Sequence, residues 1–142
     1  MKLAIRNSRL FLLLAVLAAA GPSAHAQSDL RQWRESTKKA YNECSYSMSA
    51  ALSLEEASRY ARTKACVETA IANESSSPKA VSAAAQPPTA ALVRDYHAAW
   101  TAAMQALPRL QYGDRVNAER ADQAASIKLD ELWARIAAEA NL

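Results

Sequence analysis

From Leu30 onward the apolar and small residues recur in steps of three and four, at Leu30, Trp33, Thr37, Ala40, Tyr41, Cys44, Met48 and Ala51. That spacing places them on one side of a helix, and it predicts a first helix over 29–51 with Ser28 as its cap. Ser53-Leu54-Glu55-Glu56 has the spacing of a capping box. It predicts a second helix over 54–73, whose larger apolar residues are Leu54, Ala57, Tyr60, Ala61, Val67 and Ile71. Helices joined by so short a turn run antiparallel and side by side. A third helix over 90–107 carries Leu92, Tyr96, Ala99, Trp100, Ala103 and Leu107 on one broad face, and Pro108 is expected to end it. A fourth over 114–140 has Asp114 as candidate cap and is expected to bury Ala118, Ala121, Ala125, Leu129, Leu132, Trp133, Ile136 and Ala140. The Ser-, Pro- and Ala-rich stretch 74–89 reads as a connector. Ser77-Pro78 is compatible with a short helix over Pro78–Gln86, and a linker without regular structure fits the composition equally well.

Composition strengthens this picture. Beyond residue 26 the chain has one glycine, Gly113, and is rich in alanine, so helix propensity is high and positive φ is rarely available. The expected fold is all-α, an antiparallel helical bundle of about four helices forming a single domain over 27–142.

The first residues follow another logic. Lys2, Arg6 and Arg9 precede the apolar run Leu10 to Ala20, and Gly21-Pro22 lead to Ala24-His25-Ala26. This is the plan of a secretory signal peptide over 1–26, cleaved after Ala26. The run is shorter than the roughly 20 residues a membrane-spanning helix needs, so no stable membrane insertion is expected once the leader is removed. Export to the periplasm or beyond follows. Losing the leader also removes three of the 17 Lys and Arg against 14 Asp and Glu, which leaves the mature chain neutral. A neutral chain presents no basic stripe to phosphates, and no nucleic-acid partner is expected.

Cys44 has one possible cysteine partner in the chain, Cys66. In an oxidising compartment such a pair is expected to form a structural disulfide, worth about 3 kcal/mol for the loop it closes. Two features trouble the pairing. Cys66 falls on the far side of the second helix from its apolar set, and it lies further from the turn than Cys44 does, by about 7 Å along the axis. A link between two copies of the chain therefore stays open as an alternative. Redox chemistry has no support, because no Cys-x-x-Cys spacing is present.

Other chemistry is sparse. His97 is the one histidine beyond the leader, and Cys44, Cys66 and His97 lack metal-site spacing, so no metal site is expected. Covalent haem attachment needs a C-x-x-C-H run, which is missing. Haem held by His97 with Met48 is a conceivable axial pair, whereas Met104 shares a helix with His97 and cannot sandwich an iron with it. No nucleophile elbow, phosphate loop or zinc-protease signature occurs, so no catalytic residue and no cofactor are assigned.

What remains is surface. On the last helix Val116, Ile127, Ala134 and Ala138 fall opposite the core stripe, interrupted by Arg120, Gln123 and Glu131, and Tyr46 points away from the stripe of the first helix. A second apolar face on a helix that already has a core face suggests a partner or a dimer mate. Tyr46, Val116, Ile127 and Ala134 are the candidate partner-binding residues, with the 74–89 connector as another candidate. The expected function is that of a small exported, non-catalytic protein that binds a protein partner, of inhibitor, immunity or adaptor type, with a homodimer as one form of partnership. The alternatives are a periplasmic carrier of haem, metal or another small ligand, and a structural or stress-related envelope protein.

Overall fold

A computed structural model describes residues 24–50, 55–110 and 115–142. The candidate caps Ser53 and Asp114, the apolar Leu54 and Ala51, and the leader up to residue 23 lie outside the described residues. Five helices follow one another: α1 (Ala24–Ala50), α2 (Glu56–Glu74), α3 (Ser77–Ala84), α4 (Pro87–Leu110) and α5 (Arg115–Glu139). The fold is an all-α bundle, and no helix among the described residues is long and apolar enough to cross a membrane.

Helix α1 keeps its predicted stripe, with Leu30, Trp33, Thr37, Tyr41 and Cys44 buried. It starts earlier than predicted. Nothing between Ala24 and Leu30 breaks a helix, and Ala26 is itself buried, so Ser28 lies exposed inside α1 and does not cap it. The Ala26–Gln27 bond, where the leader is expected to end, therefore sits in the first turn of α1.

Of the two readings of the stretch 74–89, the short helix is the one found. The middle of that stretch is α3, which carries proline at the helix start and packs Pro78 and Val81 inward against α4 and α1. Proline suits a first turn because its missing N–H would have no helical acceptor there. The same logic moves the start of α4 back to Pro87, with Ala85 extended just before it. Pro108 does not end α4, which runs on to Leu110 with Pro108 buried in its last turn. At that position a missing N–H costs one bond near an end, and the helix has only two residues left to run.

Helix α2 departs most from its predicted face. Its N-cap is Glu55, with no side-chain cap bond, rather than the Ser53 box. Ala57 and Ala61, expected inside, are exposed, and the buried face is Thr63, Val67 and Glu74, flanked by half-buried Cys66, Ala70 and Ile71. Two of its three most buried members are polar, which is why apolar periodicity misplaces the face. With the face moved, Cys66 turns toward α1, and the disulfide Cys44–Cys66 closes with the Cα atoms 5.6 Å apart. The axial mismatch disappears as well. Ser36 meets Glu74 and Cys44 meets Cys66 in one antiparallel register centred on residue 55, further along the chain than the expected turn.

The core lies where α4 crosses α1 and α5. Trp100, Tyr96, Leu30, Met104, Leu107, Ile136 and Val93 are its largest fully buried side chains. Helix α5 buries Leu129, Leu132, Ile136 and the adjoining Ala140, while Ala121, expected inside, is exposed at the fringe of the stripe. Its end is closed by Asn141 at φ 53° and by the Leu142 N–H donating to the Ala137 carbonyl at 2.9 Å. Asparagine tolerates that left-handed position, so the terminal carbonyls find donors without a glycine.

Candidate functional site

Helix α5 packs chiefly on α4 and turns its other side to solvent. On that outer side Val116 is 49% and Ile127 52% exposed, and Ala134 and Ala138 continue the line. Positions 116, 127 and 134 fall within about 20° of one another at 100° per residue, so three of the candidate residues form one apolar ridge, about 27 Å from end to end at 1.5 Å per residue. Arg120, Gln123 and Glu131 are exposed along the same ridge. Tyr46, 74% exposed, belongs to α1 and is a separate exposed position.

The inner side of α5 is tied to α1 by long polar side chains. Gln27 Nε2 donates to the carbonyls of Ala140 and Asn141 at 3.1 and 3.3 Å. Arg34 donates to Asp130 Oδ1, and Tyr41 donates to Asp122 Oδ1 at 2.5 Å, with Ser45 Oγ on Asp122 Oδ2 at 3.1 Å. The three α1 residues Gln27, Arg34 and Tyr41 stand one heptad apart, so they share a face. Of the three, only Tyr41 belongs to the apolar stripe read from the sequence, and the heptad spacing is the signal that joins Gln27 and Arg34 to it.

Arg34 is the unusual rung. It is 6% exposed and donates to the Tyr96 hydroxyl at 2.8 Å, while its guanidinium carbon stands 5.4 Å from the centre of the Tyr96 ring and 5.9 Å from that of Trp133. The Thr37 hydroxyl meets the Tyr96 hydroxyl at 3.0 Å, and Trp100 Nε1 donates to the Thr37 carbonyl at 2.9 Å. Burial raises the Tyr96 phenol above its ordinary pKa, although the bond from Thr37 and the nearby Arg34 pull the other way. Burial, and then Asp122, raise the Tyr41 phenol. Both tyrosines stay protonated at neutral pH. The cluster orients α1, α4 and α5.

The residues considered for metal or haem are drawn apart. Cys44 and Cys66 are consumed by their disulfide, and no group of three metal-ligating side chains occurs among the described residues. His97 lies half-buried on α4, stacked on Trp100 with ring centres 5.9 Å apart. Tyr96 and Trp100, which flank it, both bond to Thr37. Met48 is 11 residues beyond Thr37 on α1, about 16 Å along the axis at 1.5 Å per residue, too far for His97 and Met48 to ligate one iron.

No family model, no curated protein and no solved structure matches this chain.

Proposed function

We propose that the mature chain is a small exported, non-catalytic protein that binds a protein partner through the outer ridge of α5, in the manner of an inhibitor, immunity protein or adaptor. The observation that carries this reading is the half exposure of Ile127 and Val116 on a helix whose core side is already filled by Leu129, Leu132 and Ile136. An apolar ridge exposed to this extent on a surface helix is a surface that a protein partner can cover. The stretch 74–89 offers less, because Pro78 and Val81 turn α3 inward. The leader-like first residues and the disulfide support a periplasmic or secreted setting. The carrier reading has lost the His97 and Met48 pair on which its haem version stood.

The test is site-specific photo-crosslinking in the exporting cell. A photoreactive residue at Val116 or Ala134 is expected to give one dominant adduct, lost in Ile127→Glu and retained in a variant at exposed Ser58. Adducts of equal yield at Ser58, or adducts indifferent to Ile127→Glu, overturn the reading. An adduct of twice the chain mass identifies the partner as a second copy.

A further inference from the structure

Glu74 is the last residue of α2 and only 6% exposed. Its Oε1 accepts a hydrogen bond from Ser36 Oγ, whereas Oε2 is buried with no hydrogen-bond partner. A buried carboxylate with an unsatisfied oxygen is costly. Its position adds to the cost, because the carbonyls at a helix C-terminus carry partial negative charge and favour cations, yet the last turn of α2 has no basic residue. The start of α3 lies close in sequence, but none of its N–H groups reaches Glu74 Oε2. His97, the nearby group that feels the Glu74 charge, has its pKa lowered by burial, with Glu74 opposing, so it is not a standing cation at neutral pH.

Glu74 and Ser36 close one end of a groove of about 520 Å³ between α1 and α2. It is lined by Ala40, Ala65 and Ala70 and also by Thr69 and Asn73, and the Cys44–Cys66 disulfide lines its other end. Lys39 and Glu43, also in the lining, pair with each other at 3.8 Å. A groove with alanine methyls along it and a carboxylate oxygen without a hydrogen-bond partner at one end suits a ligand with a flexible apolar stem and a compact positive head. We infer that this groove binds an aliphatic primary ammonium, the head group of a lysine side chain or of a free alkylamine. The ammonium donates to Glu74 and to Ser36 Oγ, and its methylenes lie along the three alanines. The site is on α1 and α2, away from the α5 ridge, and stands or falls independently of it.

The mature protein, with alanine methyls labelled, is titrated with Nα-acetyl-lysine N-methylamide while the methyl resonances of Ala40, Ala65 and Ala70 are followed. The norleucine analogue, which has the same stem without the charge, serves as the comparison. Saturable shifts with the lysine compound, at least tenfold weaker with norleucine and at least tenfold weaker in Glu74→Gln, are expected. Ala65→Leu fills the groove without touching the carboxylate and is expected to abolish the shifts, so the inference remains testable if Glu74→Gln disturbs folding. Equal titration by n-butylamine identifies a free amine as the ligand, and a marked preference for the lysine compound identifies a protein side chain. No saturable shift, equal shifts with norleucine, or binding unchanged in both variants overturns the inference.

Discussion

Helix α1 has two seams, and they are held by different physics. Toward α2 it is joined by packing, by the disulfide and by the hydrogen bond of Ser36 to Glu74. Toward α5 it is joined by a ladder of Gln27, Arg34, Tyr41 and Ser45, each meeting an oxygen of the other helix. The first seam acts largely through the unfolded chain, whose freedom the disulfide restricts. The second acts in the folded state, where each rung is a modest net gain and an unmade rung is a larger loss. A chain that ties one neighbour covalently can leave buried carboxylates such as Glu74 imperfectly matched on that side. On the other side it must satisfy its polar groups rung by rung.

Breaking the covalent seam should have the largest effect. Replacing Cys44 and Cys66 by alanine is expected to cost about 3 kcal/mol for a loop of this length, seen as a fall in Tm on the order of 10 °C. Little change in Tm would show that noncovalent packing carries the hairpin. The rungs follow in order of burial. Asp130→Ala strands the Arg34 guanidinium with the Tyr96 hydroxyl as its remaining partner and should cost about 2 kcal/mol in urea unfolding. Asp130→Asn keeps an acceptor and should cost about half as much. Tyr41→Phe removes one of the two hydroxyls on Asp122 and should cost about 1 kcal/mol, appearing in hydrogen exchange as earlier opening of the α5 amides than of those in the α1–α2 hairpin. If all amides accelerate together, the two seams are one cooperative unit.

The smallest effect concerns pH. Burial lowers the pKa of His97 below its ordinary 6.5, with Glu74 opposing. Between those two values the unfolded chain binds more protons than the folded one, so this contribution to stability is complete above about 6.5 and is lost as the pH falls. His97→Gln should flatten the decline in Tm as the pH falls below about 6.5 relative to wild type. A decline of unchanged slope would place its source elsewhere.

Most of the architecture was legible because helical periodicity and the near absence of glycine point one way. The stripes of α1 and α4 and the inner face of α5 are apolar at regular steps, and there the pattern and the packing agree in the main, with Val93 and Met104 of α4 buried outside the predicted set and Ala121 of α5 exposed. The pattern failed where buried positions are polar. Thr63 and Glu74 sit inside α2, and buried Arg34 sits beside the predicted stripe of α1, so an apolar count either points elsewhere or registers nothing. The exposed ridge of Val116, Ile127 and Ala134 was readable because exposure on α5 follows from the angle to its core face. The groove at Glu74 was not, because the value of that carboxylate depends on which atoms fail to meet it.

By itself, then, the sequence determined an all-α chain, the approximate extent of its longer helices, the absence of any motif with known chemistry, and the likeness of its first residues to a secretory leader. These are properties of residues and their neighbours within a turn or two. Only the tertiary structure decided which face of α2 is buried, that Cys66 reaches Cys44, that Gln27, Arg34 and Tyr41 form rungs, and that Glu74 lacks a partner. The reason is the same in each case. The burial of a polar side chain depends on a match between groups far apart in the chain, such as Arg34 with Asp130 or Ser36 with Glu74, and local periodicity contains no information about such matches.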